Sequence, residues 1–322
     1  MGRLLLLDSA SLYFRAYFGV PDSVRAPDGT PVNAVRGLLD TLARLVVAHR
    51  PTRLVAAWDE DWRPAFRVAA ISSYKAHRVA ATAEAGSGAD AGTGAGWVED
   101  TPPALVAQVP VIVDLLAALG IARVGAAGFE ADDVLGTLVA REVARPAAER
   151  DPVLVVTGDR DLFQLVDDGT GVRVLYPTKD GMLVVDQAVL RERYAVASGP
   201  AYADMAVLRG DPSDGLPGVR GIGEKTAAAL IGRYGDLAGV LAARDRGDPA
   251  LTATQRRALT EAADYLAVAP TVVQVARDAP VGEVDDRLPV VPADPETLVA
   301  LAQQWGLVSS ARRLVEVLSA AR

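Results

Sequence analysis

The stretch "VLVVTGDRDLFQLV" at residues 153–166 decides the fold. Its first four residues form an apolar, β-branched-rich run of the kind that a parallel sheet buries on both faces. The run leads straight into two carboxylates, Asp159 and Asp161. Two like charges after a buried strand contribute nothing obvious to folding. "RLLLL" (3–7) and "RLVAAW" (53–58) repeat the pattern, and they too end in acid, at Asp8 and Asp59. Between these runs, residues 33–49, 103–120 and 130–145 carry helical periodicity. This alternation predicts a doubly wound α/β sheet, mostly parallel. "VRVLYPTKDGMLVVD" (172–186) reads as a hairpin turning at Asp180 and Gly181. Beyond it the chain becomes mainly helical. Two parts are therefore expected, 1–186 and 187–322.

Composition narrows the chemistry. Half of the 322 residues are apolar, ample for a core, and no run of eighteen apolar residues predicts a membrane span. "MGRLLLLDSA" is broken by Asp8, so it reads as a first strand rather than a leader. The absence of cysteine excludes disulfides, thiolate catalysis and Cys-ligated zinc, and suits the cytoplasm. Two histidines, His49 and His77, disfavour a His-based metal site or triad. A net charge of −8 argues against nucleic acid unless many of the acids share one cation-binding cleft. The only lysines are Lys75, Lys179 and Lys225, and two of them fall in functional-looking segments.

The acids do converge. Ligands of open α/β sheets bind beyond the carboxyl ends of the strands, where Asp8, Asp59, Asp159 and Asp161 lie. Glu130, Asp132 and Asp133 open a helix in "GFEADDVLG", and Asp211 and Asp214 lie in "GDPSDG". Each group alone has an ordinary explanation as a helix cap or turn. Nine carboxylates at one edge do not, because their repulsion is costly unless cations neutralise it. Oxygen ligands without His or Cys suit Mg²⁺ or Mn²⁺. Two such ions would clamp a phosphodiester and activate water.

Two further segments fit that chemistry. "PGVRGIGEKTAAAL" sets Gly218, Gly221 and Gly223 before a helix carrying Lys225 and Thr226, a helix-hairpin-helix pattern whose backbone N–H groups approach a phosphate. "AFRVAAISSYKAHR" predicts one helix presenting Tyr74, Lys75 and Arg78, suited to phosphate contact and base stacking. Arg15 stands among four aromatics in "SLYFRAYFG". Residues 80–96, Ala/Gly-rich, read as a flexible loop or lid.

These segments together with "PVNAVRG" and "WDEDWRPAFR" resemble the bacterial 5′-nuclease family: flap endonucleases and the 5′→3′ exonuclease domain of DNA polymerase I. The resemblance is strong over roughly residues 3–235. It implies a PIN-like nuclease domain (1–186) with a helical arch around 74–102, and a helical DNA-binding domain (187–322) with a helix–three-turn–helix at about 211–235. It implies two or more Mg²⁺ or Mn²⁺ ions, with Asp8, Asp59, Glu130, Asp132 and Asp133 serving one cluster and Asp159, Asp161, Asp211 and Asp214 the other. Lys75 would contact the scissile phosphate, assisted by Arg78, with Tyr74 stacking on the displaced nucleotide. Backbone carbonyls near Val219 and Ile222 would hold K⁺. The implied activity is structure-specific 5′→3′ exonuclease and flap endonuclease cleavage of DNA with 5′ flaps, nicks or RNA-primed ends, by a monomer with no membrane partner. The rivals are a non-catalytic helix-hairpin-helix DNA-binding module, and a phosphatase using Asp8 as nucleophile.

Three departures stand out. Gly215 replaces the family's usual Asn after "SD". One extra residue precedes Arg67, so its superposition is in doubt. No Lys or Arg lies between Arg78 and Arg123, which predicts a floppy arch with a weak grip on a flap and low processivity.

Overall fold

The computed structural model describes residues 2–79 and 98–321. Six strands, β1 (Leu4–Asp8), β2 (Arg53–Ala57), β3 (Ala122–Val124), β4 (Val153–Val156), β5 (Val172–Thr178) and β6 (Gly181–Val185), form one sheet in the order β3-β2-β1-β4-β5-β6. All neighbours are parallel except β5 and β6, which form the expected hairpin. The helices are α1 (Ser9–Gly19), α2 (Asn33–His49), α3 (Ala65–Ala70), α4 (Pro103–Val106), α5 (Val109–Leu119), α6 (Ala131–Ala144), α7 (Gln187–Tyr194), α8 (Gly199–Arg209), α9 (Glu224–Tyr234), α10 (Leu237–Asp245), α11 (Ala253–Glu261), α12 (Ala263–Val273), α13 (Pro295–Gln304) and α14 (Val308–Ala320).

Strand periodicity builds two cores. Leu4 and Leu6 join Val55, Val153 and Val155 beneath α6 and the helices α7 to α12. Leu5 and Leu7 join Leu54, Leu154 and Val156 beneath α2 and α5. Each such leucine contributes roughly 1.5–3 kcal/mol on burial. A central strand covered on both faces therefore needs the unbroken apolar runs that the sequence displays.

The sequence-based outline departs from the structure in four places. β3 was not expected: its three residues "ARV" lie at the sheet edge, only partly buried, and make no apolar run. The helix expected over 103–120 breaks into α4 and α5, with Pro110 in the first turn of α5. The segment 65–78 is not one helix: α3 ends at Ala70, and Lys75 takes a left-handed conformation (φ 47°) before a single 3₁₀ turn, Ala76–Arg78. Finally, the stretch 187–322 is not one body of helices. Leu298, Leu307, Leu314 and Leu318 of the last segment pack with α2 and α5, on the far face of the sheet from α8 and α9.

The expected arch falls largely on residues 80–97, outside the described residues. Its two described ends are joined, with Val79 bridging Glu99 and the Asp100 N–H donating to the Arg78 carbonyl at 2.8 Å. No described helix is long and apolar enough to cross a membrane.

Candidate active site

The carboxyl edge of the sheet opens into a cavity of about 1020 Å³. Asp8 closes β1 and caps α1, its Oδ1 accepting from the Ser11 N–H (3.0 Å) and its Oδ2 from the Thr157 hydroxyl (2.6 Å). Asp59 follows β2 and accepts from the Ala131 N–H at 2.8 Å, tying the second strand to the start of α6. Asp159 follows β4 and accepts from the Asp161 N–H at 2.8 Å. Asp132 reaches the cavity from the first turn of α6, and Asp211 from the loop after α8. Strand ends, one helix start and one loop thus bring Asp8, Asp59, Glu130, Asp132, Asp159, Asp161 and Asp211 to one cavity, which Lys75 and Arg78 also line.

The acids fall into two electrical classes. Glu130, Asp133 and Asp214 have protein cations. The Arg67 guanidinium, buried, binds Asp133 through two bonds (2.6 and 2.9 Å) and Glu130 through a third, while donating to the Val272 carbonyl at 3.1 Å. Lys75 Nζ pairs with Glu130, and the Tyr74 hydroxyl donates to Glu130 at 2.7 Å. Arg78 pairs with Asp214 at 2.7 Å. Burial pushes the Glu130 carboxyl up, but Lys75 and Arg67 outweigh it and hold the carboxyl below its ordinary range.

The second class forms no ion pair with a described residue, and the nearby Lys75 and Arg209 offset only part of its repulsion. Asp132 makes no hydrogen bond or ion pair with any described residue, and burial, with Asp8 and Asp159 beside it, pushes its carboxyl far up. Burial pushes Asp8 up to about 7, with Asp59 and Asp159 adding to the shift. Burial lifts Asp59 to about 6. Asp161 rises to about 8 through burial and the repulsion of Asp159, Asp214 and Asp211. The cavity therefore concentrates negative charge that the chain leaves uncompensated.

Several expected site residues are placed differently. Asp133 does not line the cavity: its carboxylate is fully buried and taken by Arg67 and by the Glu130 and Ala276 N–H groups. That arrangement makes it a support for Glu130 rather than an open ligand. Tyr74 is 4% exposed and bonded to Glu130, so its ring is no stacking surface. Arg15 lies outside the acid cavity, donating to the Thr178 carbonyl at 3.2 Å beside a separate cleft between α1, α2 and the β5–β6 hairpin. Nor are the nine acids gathered into cages: among the described residues no three His, Cys, Asp or Glu side chains stand ready to hold one ion. The donor set still fits a hard divalent cation. It is all carboxylate oxygen, charged beyond what the chain neutralises, and Mg²⁺ in particular keeps several waters and takes few protein ligands.

The glycine hairpin joins α8 to α9 as expected. Val219 and Ile222 are buried and anchor it, the Val219 N–H donating to the Leu208 carbonyl and the Ile222 N–H to the Val219 carbonyl, both at 2.9 Å. Gly221 and Gly223 are exposed, with open space where a Cβ would stand, next to the exposed Lys225 and half-buried Thr226 at the start of α9.

The sequence reading missed Arg67 as a clamp, Thr157 as the partner of Asp8, and Arg209. Arg209 enters the cavity from the end of α8 and bonds Glu224 at 3.2 Å. It also missed Glu99, which lines the cavity from the far end of the undescribed segment. Only Thr157 carried a signal, as a polar residue directly after a buried strand.

An acid-lined cavity at the edge of a parallel sheet, flanked by a glycine hairpin between two helices, defines a nuclease of two-part build. The profile for the 5′-3′ exonuclease N-terminal resolvase-like domain matches residues 3–195, and that for the 5′-3′ exonuclease C-terminal SAM fold matches residues 198–296. A 5′-3′ exonuclease of Streptomyces coelicolor is 60% identical over 318 residues, covering 98% of this chain and all of that protein. A 5′-3′ exonuclease of Mycobacterium tuberculosis is 50% identical, covering 98% and 97%. The chain belongs to the 5′-3′ exonuclease family. Its fold is shared with a bacteriophage T5 flap endonuclease solved as a pseudo-enzyme-product complex with DNA and metal ions (TM-score 0.63, 16% identity, 98% and 99% of the two chains).

Proposed function

We propose that this chain is a divalent-metal-dependent, structure-specific 5′→3′ exonuclease and flap endonuclease. It hydrolyses DNA phosphodiesters near single/double-strand junctions, removing 5′ flaps and RNA primers in replication and repair. The observation that carries the reading is one cavity lined both by carboxylates that form no ion pair within the chain and by Lys75 and Arg78. A non-catalytic DNA-binding module has no use for a buried Asp8 and half-buried Asp132 and Asp161 crowded together at a cost to folding.

Asp8, Asp59, Glu130 and Asp132 would hold Mg²⁺ or Mn²⁺ on one side and Asp159, Asp161, Asp211 and Asp214 on the other; bound there, the ions would supply charge stabilisation and lower the pKa of water. Asp133 acts behind them by fixing Arg67 and Glu130. Lys75 and Arg78 face the scissile phosphate and stabilise charge that builds on its oxygens. Their ion pairs with Glu130 and Asp214 hold them at the cavity before substrate arrives. Water adds across the P–O3′ bond, leaving a 5′-phosphate and a 3′-hydroxyl. The hairpin takes a duplex phosphate at Gly221, Gly223, Lys225 and Thr226, where N–H groups and the start of α9 favour an anion. Backbone carbonyls near Val219 and Ile222 would hold K⁺ there. The protein works as a cytoplasmic monomer, with residues 1–186 supplying Lys75, Arg78 and most of the metal ligands and the loop after α8 supplying Asp211 and Asp214.

End-labelled 5′-flap, nicked and RNA-primed duplexes, incubated with Mg²⁺, Mn²⁺ or chelator, test the reading. The expected result is cleavage at the junction with either ion and none with chelator. Tight binding without cleavage under every condition would favour the binding module instead.

A further inference from the structure

The loop after α8 and the turn bearing Lys75 are built as one piece. At Gly215 (φ 73°) a Cβ would stand 2.1 Å from the Ser73 carbonyl oxygen, far inside contact distance, so only glycine lets the two backbones meet. Four hydrogen bonds follow from that approach. The Ser73 hydroxyl donates to the Gly215 carbonyl (2.7 Å) and the Lys75 N–H to the Asp214 carbonyl (3.0 Å). Arg78 donates to the Ser213 carbonyl (3.0 Å) and to the Asp214 carboxylate (2.7 Å). The left-handed backbone of Lys75 is a strained conformation for a residue with a side chain, and it persists only where its surroundings impose it. Here the Asp214 carbonyl holds its N–H, while the Trp62 carbonyl and Glu130 hold its Nζ.

We propose that Gly215 and Ser73 are positioning residues for the cleavage reaction. Their contact fixes the left-handed turn at Lys75, and so sets where the Lys75 ammonium and the Arg78 guanidinium stand in the cavity. The inference rests on the reading of Lys75 as a phosphate-facing cation. It goes beyond that reading by placing control of the cation in the loop that leads to the DNA-facing hairpin. A larger residue at 215 pushes the two backbones apart and releases the turn.

A double-mutant cycle in single-turnover cleavage of a 5′-flap duplex at saturating Mn²⁺ tests this. Gly215→Asn is expected to slow cleavage roughly hundredfold, the scale on which misplacement by about 1 Å acts, while flap affinity changes by less than about twofold. In a Lys75→Ala/Arg78→Ala background the same substitution is expected to cost less than about twofold, because the groups it positions are already gone. Ser73→Ala, which removes one hydrogen bond and leaves the backbone approach intact, is expected to slow the native background a few-fold and the Lys75→Ala/Arg78→Ala background not at all. It also keeps the test alive if Gly215→Asn misfolds. Equal losses in both backgrounds, or full activity of Gly215→Asn, would overturn the proposal. If Lys75→Ala itself cleaves like the native protein, the reading of Lys75 falls first, and the inference with it.

Discussion

The acids that open α6 are built on two opposite principles. Glu130 and Asp133 are wired to Arg67, Lys75 and Tyr74, so their charge is matched within the chain. Asp132, between them in sequence, forms no ion pair with a described residue and shares its space with Asp8 and Asp159, whose repulsion and its own burial outweigh the pull of Lys75. Neighbouring acids in one helical turn thus belong to a finished structural network and to an unfinished electrostatic one. A fold does not leave buried carboxylates uncompensated for its own sake, because the cost is several kcal/mol per ion. What completes the second network has to come from outside.

The largest expected effect breaks the finished side. Arg67→Met leaves Glu130 and Asp133 buried without their shared guanidinium, and the expected loss of stability is about 3–5 kcal/mol. Urea unfolding in chelator measures it. A loss below about 1 kcal/mol would mean that the network is not a structural one.

Next comes the cation that bridges the two sides. Lys75→Ala leaves Glu130 with Arg67 and Tyr74, so the fold should hold, while single-turnover cleavage falls by about 10²–10³, the scale of losing one well-placed donor to developing charge. Rapid-quench cleavage checks the rate, and an unchanged rate would remove Lys75 from the chemistry.

The unfinished side should announce itself through pH. Asp8 titrates at about 7 and Asp161 at about 8 in the folded chain, against 3.8 for the ordinary side chain. Between those values the folded protein binds more protons than the unfolded one, so stability of the metal-free protein falls as pH rises from about 4 to 8. Mn²⁺ replaces the protons and should abolish the decline. Melting curves at pH 5 and pH 8, in chelator and in Mn²⁺, test both statements; a metal-free protein as stable at pH 8 as at pH 5 would contradict the first.

The smallest expected effect lies away from the acids. Lys225→Ala removes the exposed cation at the start of α9 that is proposed to meet a duplex phosphate, which should lower the slope of log affinity against log salt by about one and leave the cleavage rate at saturation unchanged. Filter binding over a range of salt reads the slope.

The sheet was legible because buried parallel strands must be continuous apolar runs, and β1, β2 and β4 are. The acids at their ends were legible for the same reason: a carboxylate interrupting such a run has no role in a core. What the sequence hid was the partner of each acid. Asp133 and Asp132 are adjacent and identical in type, and only the arrival of Arg67 from α3 separates their roles. Tyr74 looked like a stacking ring because "YKAHR" suits a helix, yet Gly215, 140 positions on in the chain, pulls that segment into a left-handed turn and the ring goes inside. Long-range contacts of this kind leave no periodicity to read.

The central claim is that the uncompensated carboxylates are a cation site that performs the cleavage. Its most direct test is cleavage of an end-labelled 5′-flap duplex at saturating Mn²⁺ by the native protein and by Asp159→Ala, with melting curves confirming that both are folded. The account predicts a loss of at least about 10³-fold in the variant, with stability unchanged or raised because a repulsive charge is gone. Cleavage by Asp159→Ala at the native rate would contradict it.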